Sequence, residues 1–135
     1  SYSMAITLGN LGELEQERGE LSEAIKFYQE ALSISQEIYG DLPHPSVFTL
    51  FQKLGRVLLS KGELREAQRY FEFALEKSRE RYRLAYHPDV VAILVDLGDL
   101  SIASKDYGGG ILHYRTALEM QKKMGRSPLE ATILM

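Results

Sequence analysis

Residues 11–32 read LGELEQERGELSEAIKFYQEAL. The stretch returns at 54–75 as LGRVLLSKGELREAQRYFEFAL and at 97–118 as LGDLSIASKDYGGGILHYRTAL. Each copy starts 43 residues after the one before, and the three align without a gap. Self-similarity at a fixed period of this size marks a stack of like units. The positions that persist are a Leu-Gly pair (Leu11-Gly12, Leu54-Gly55, Leu97-Gly98), an aromatic (Tyr28, Phe71, Tyr114) and an Ala-Leu pair (Ala31-Leu32, Ala74-Leu75, Ala117-Leu118). Between copies, His44-Pro45 recurs as His87-Pro88, again 43 residues on.

Working outward, each unit reads as two helices. Phe48, Phe51, Leu54, Val57 and Leu58 fall at the spacing of one helix face. That first helix stops near Gly19 or Gly62, where a tight turn takes positive φ. The second starts at Ser22-Glu23-Ala24 or Arg65-Glu66-Ala67 and runs to about Tyr39 in the first unit. Pro45 and Pro88 suit the start of the next first helix, because proline fixes φ and lacks a donor the first turn does not use. Gly12, Gly55 and Gly98 lie inside helices, where glycine costs about 1 kcal/mol relative to alanine. With Ala24, Ala31, Ala67 and Ala74 they let two backbones approach closely, and Tyr28 or Phe71 fills the space beside them.

These residues resemble the tetratricopeptide repeat: Leu-Gly in a first helix, then Gly-Glu-Leu-x-Glu-Ala, an aromatic and Ala-Leu, best matched at Gly19 to Leu32. The common unit has 34 residues. The present one has 43, the surplus lengthening the second helix and adding the loop at 40–45. The long form is similar to the repeats of kinesin light chain and nephrocystin-type proteins. The resemblance implies an all-α fold, an α–α superhelix of three helical hairpins plus the start of a further helix. The units are 1–43, 44–86 and 87–126, with a partial fourth first-helix at 127–135. Ser1 aligns with His44, so the stretch is expected to be part of a longer array, able to self-associate through its incomplete C-terminal end.

The third unit departs from the other two. Gly108-Gly109-Gly110 replaces the Ser/Arg-Glu-Ala start, which predicts a second helix that frays at its beginning. A phosphate-binding loop would need a following Lys and Ser or Thr, and Ile111-Leu112 stands there instead. His44, His87 and His113 are too far apart in sequence for the short ligand spacing of a metal site. The acids Glu13, Glu15, Glu17 and Glu20 read as a solvated helix face. No nucleophile–base pairing emerges, so neither an enzyme nor a metal or cofactor site is expected.

The 135 residues are 44% apolar and carry a net charge of −3, which gives no pull toward nucleic acid or an anionic membrane. No apolar run approaches the roughly 18 residues of a membrane span. The absence of cysteine fits a reducing compartment, so a cytoplasmic location is expected. Charge is divided by unit: −6 over residues 1–43, +4 over 44–86 and −1 over 87–135. Much of the positive charge lies on one second helix, at Arg65, Arg69, Lys77, Arg79, Arg81 and Arg83.

The resemblance implies a binding groove lined by first helices, with a protein or peptide as partner. Its expected residues are Asn10 and Glu13 in the first unit, Gln52, Lys53 and Arg56 in the second, and Asp96 and Asp99 in the third. Lys53 and Arg56 would form a basic middle flanked by Glu13, Asp96 and Asp99, suited to a peptide with an acidic or polar centre. Some members of the family grip a terminal carboxylate with Lys, Asn and Arg. Asn10 matches one such Asn, but Lys53 and Asp96 occupy the equivalent positions, and an acid there repels a carboxylate. The implied role is an interaction scaffold or adaptor. The alternatives are a peptide-sensing regulatory domain and spacer repeats with no partner of their own.

Overall fold

The computed structural model describes residues 1–83 and 86–125. It holds α1 (Tyr2–Glu17), α2 (Leu21–Tyr39), α3 (Pro45–Lys61), α4 (Leu64–Tyr82), α5 (Pro88–Ala103) and α6 (Tyr107–Met124). They pair as α1 with α2, α3 with α4 and α5 with α6, and each hairpin packs on the next through α2 with α3 and α4 with α5. This is the three-hairpin superhelix that the period requires. The partial helix expected at 127–135, and the self-association through it, lie outside the described residues.

Each hairpin closes the same way. Gly19 (φ 81°) and Gly62 (φ 83°) take the left-handed conformation just past the first helix, as does Lys105 (φ 62°) in the third unit. The next amide then reaches back to close the helix end: Glu20 to Glu15, Glu63 to Leu58 and Asp106 to Ser101, at 2.8–2.9 Å. This is the Schellman arrangement, and it satisfies carbonyls the helix leaves open.

The interior glycines also have a structural reason. A Cβ on Gly12 would stand 2.6 Å from the Tyr28 ring, and one on Gly55 2.5 Å from the Phe71 ring. Gly98 abuts the Tyr114 ring in the same manner. Tyr28 and Phe71 are fully buried, together with Ala24, Ala31, Ala67 and Ala74. The apolar seam between hairpins is filled by Phe48, Leu54, Val57, Ile93 and Leu97.

Two features add to the repeat pattern. The histidine of each His-Pro pair is the N-cap of the following helix. His44 Nδ1 accepts from the Ser46 amide and His87 Nδ1 from the Asp89 amide, both at 3.0 Å. Each ring also stacks on the last tyrosine of the preceding helix, His44 on Tyr39 at 3.7 Å and His87 on Tyr82 at 3.5 Å. The dipeptide thus ties one unit to the next. Burial, with the Arg81 charge adding, holds the His44 imidazole below its ordinary value. That keeps Nδ1 free to accept.

The second feature is the start of the second helix in the third unit, where the glycines predict fraying. The glycines do not delay α6, which starts at Tyr107, in register with Leu21 and Leu64. Asp106 caps it, its Oδ1 accepting from the Gly109 amide at 3.0 Å. Glu20 and Glu63, at the same position in α2 and α4, make no side-chain cap. A Cβ on Gly109 would collide with the Asp106 carboxylate, so glycine there leaves room for the cap.

Candidate functional site

The first helices α1, α3 and α5 form one row, and polar side chains link them. Lys53 Nζ donates to Glu13 Oε1 at 2.6 Å, joining α3 to α1. Arg56 Nε donates to both oxygens of Asp96 at 3.0 and 3.1 Å, joining α3 to α5. In repeat register Arg56 takes the place of Glu13, and Asp96 the place of Lys53. The same two positions therefore pair at both unit boundaries with their charges exchanged. A mis-registered stack would set like charges together, so the exchange favours this order of units.

The second boundary has a further member. Gln52 Nε2 donates to Asp96 Oδ2 at 2.7 Å, and both side chains are buried, at 8% and 6% exposure. Sequence register places Gln52 and Asp96 on the open groove face. They lie instead between α3 and α5, because the row is packed closely enough to cover its own junction. Burial pushes the Asp96 carboxyl above its usual range, while hydrogen bonds from Gln52 and Arg56 pull it back. Lys53 and Arg56 stand close together on α3, each paired with a flanking acid of the neighbouring first helix. Asp99 is exposed and accepts a short hydrogen bond from the Tyr114 hydroxyl, which raises the phenol's pKa. Tyr28, its counterpart in the first unit, donates to Gln16 Oε1 at 2.9 Å. Burial, with the Glu13 charge adding, pushes that phenol up to about 12.

The first boundary is open where the second is filled. Gly9 occupies the register position of Gln52, and a Cβ there would meet nothing within 4 Å. The result is a hollow of about 170 Å³ between α1 and α3 that reaches Ser35 of α2. Gly9, Asn10, Ile6, Thr49, Leu50 and Lys53 are among the residues lining it. Asn10 and Lys53 are thus brought together. Another hollow, of about 370 Å³, lies against α5 and is lined by Arg56, Val91, Ala92, Val95 and Asp96 with Gln121 of α6. Gly9 is absent from the residues expected of the groove, although its signal is there: a glycine where the other units carry Gln52 and Val95.

The tetratricopeptide repeat model matches residues 3–80 and again 46–123. The chain belongs to the tetratricopeptide repeat family. Among solved structures this tetratricopeptide chain resembles BtubC (BKLC) from P. vanneervenii, with a TM-score of 0.82, 23% identity, and coverage of 92% of this chain and 49% of that one. It also resembles a putative kinesin light chain of nearly identical TPR-like repeats from Podosopora anserina, with a TM-score of 0.79, 20% identity, and coverage of 96% and 62%. A point-substituted form of the latter aligns at a TM-score of 0.78 and 20% identity, over 96% and 61% of the two chains. The chain therefore spans about half to three-fifths of these structures. No curated protein matches it. At these identities the likeness concerns the fold.

Tetratricopeptide repeats are in general protein-interaction scaffolds, and such folds are typically non-enzymatic. Among the described residues no group of three or more His, Asp and Glu side chains could hold a metal ion. No described helix is long and apolar enough to cross a membrane.

Proposed function

We propose that this chain is a scaffold or adaptor module that holds an extended segment of a partner protein along the row α1–α3–α5. The observation that carries this reading is a contrast between two sets of positions. Packing positions repeat: Gly12, Gly55 and Gly98 against Tyr28, Phe71 and Tyr114. Row positions differ from unit to unit: Asn10, Lys53 and Asp96, then Glu13, Arg56 and Asp99. Pairing along the row accounts for Glu13, Lys53, Arg56 and Asp96, whereas Asn10 and Asp99 differ from their counterparts without such a pair. A binding row that reads a partner along its length needs different residues from unit to unit. Side-chain pairs link each first helix of the row to the next, which favours a preformed surface for an extended segment. The lack of cysteine supports a reducing, cytoplasmic setting.

The test is affinity purification from a native lysate with the wild-type chain, Lys53→Ala and Arg69→Ala as baits. Lys53 lies on the row, whereas Arg69 is exposed on α4. Loss of the captured partner with Lys53→Ala and retention with Arg69→Ala is the expected result. The reverse pattern would move the binding surface to the outer basic helix and overturn the proposal.

A further inference from the structure

The hollow at Gly9 has a stated chemistry, because the neighbouring boundary supplies a template for what fills it. Between α3 and α5 the side chain of Gln52 occupies this register position and bonds Asp96. Between α1 and α3 the side chain is missing, and Lys53 stands where Asp96 stands. The filler's shape is thus the same while its charge requirement is inverted. An amide donor suits Asp96; an acceptor with negative charge suits Lys53.

Resting on the groove reading above, we propose that the Gly9 hollow is an anchor subsite for an acidic side chain, a glutamate or aspartate, of the partner segment. Its apolar walls, Ala5, Ile6 and Leu50, suit the methylene stem of that side chain. Lys53 and Asn10 also line it and supply polar groups to the carboxylate. A lysine ammonium has three N–H donors. Glu13 takes one of them, so two remain for a carboxylate that shares the amine. Ser46 and Thr49, from the first turn or so of α3, also line the hollow, on the side where the helix dipole favours negative charge. The Glu13 carboxylate is the acidic group that opposes an incoming anion, and its pairing with Lys53 offsets much of that opposition. At about 170 Å³ the hollow greatly exceeds the roughly 10–15 Å³ one water needs, so it admits a side chain.

Gly9→Gln separates this subsite from the fold. The new side chain fills the hollow as Gln52 fills its counterpart, and glutamine is favoured over glycine inside a helix. The thermal midpoint of the variant should therefore equal or exceed that of the wild type. The probe is a capped Ala-Glu-Ala tripeptide amide titrated into the isotope-labelled chain, with Ala-Gln-Ala and Ala-Lys-Ala as comparisons. Amide shifts at Gly9, Asn10 and Lys53 that are largest for Ala-Glu-Ala and lost in Gly9→Gln support the subsite. Equal response to all tripeptides, response retained in Gly9→Gln, or no response at these amides overturns it. A lysate partner lost with Lys53→Ala but kept with Gly9→Gln would sink the subsite and leave the groove reading standing. Tripeptide binding with no Lys53-dependent partner would sink the groove reading and leave the subsite.

Discussion

Replacing Gly55 with alanine should destabilise this protein even though alanine is the better helix former. The added Cβ would lie 2.5, 2.6 and 3.0 Å from Cε1, Cδ1 and Cζ of Phe71. Carbon atoms pack best at roughly 3.5–4.0 Å, so ring and helix must separate by about 1 Å. Phe71 is fully buried, and its ring cannot swing into solvent. Overpacking of a closed core costs about 1–3 kcal/mol, against a propensity gain of about 1 kcal/mol, which leaves a net loss of up to about 2 kcal/mol. Gly9→Ala is the internal control, since its Cβ meets nothing within 4 Å. That variant keeps the propensity gain and should be stabilised by about 0.5–1 kcal/mol. Urea unfolding followed by far-ultraviolet circular dichroism, with the slope held common, compares the two midpoints. Adding Phe71→Leu to Gly55→Ala removes the ring edge and should recover part of the loss in a double-mutant cycle. A Gly55→Ala protein as stable as Gly9→Ala would refute the claim that close helix approach is what fixes this glycine.

Other contacts carry predictions of their own. Asp96→Ala leaves the buried Gln52 amide without its acceptor and should cost about 1–3 kcal/mol in urea unfolding, whereas Asp96→Asn keeps an acceptor and should cost less. His44 is held below its ordinary value in the fold, so the stability it contributes is fully present above about pH 6.5 and is lost as pH falls through its folded value. An imidazole titration of His44 by NMR should show a midpoint below that of an unstructured histidine; a midpoint above it would contradict the cap. Lys105 adopts φ 62° where the first two units carry glycine. Lys105→Gly should raise stability by roughly 0.5–1 kcal/mol, read from the same unfolding curves.

The fold is legible in the sequence because it is written three times. A single Leu-Gly or a single aromatic would carry little, but Gly12 with Tyr28 and Gly55 with Phe71 recur at one spacing, and only a stacked hairpin uses both. Helix ends are legible where a backbone conformation demands them, as at Gly19 and Gly62. They are hidden where a side chain acts in an unusual role. His44 and His87 read as parts of a loop, and their action as caps depends on ring stacking with Tyr39 and Tyr82 that sequence spacing does not display. Asp106 is hidden by the three glycines that follow, whose low helix propensity points to weakness, while the missing side chain of Gly109 makes room for the cap. The row residues Glu13, Lys53, Arg56 and Asp96 stand out by position, but not how they pair. The ion pairs between successive first helices fall 40 residues apart, and at that offset Glu13 with Lys53 and Arg56 with Asp96 come out as opposite charges. Burial of Asp96 is a property of the assembled row. No single helix encodes it.

Site-specific photocrosslinking tests most directly whether the row α1–α3–α5 holds the partner. A benzophenone side chain is placed at Asn10 on α1 in one sample and at Arg69 on α4 in another, both exposed positions. The account predicts that Asn10 yields a crosslinked partner and Arg69 does not. A partner crosslinked from Arg69 and absent from Asn10 would contradict it.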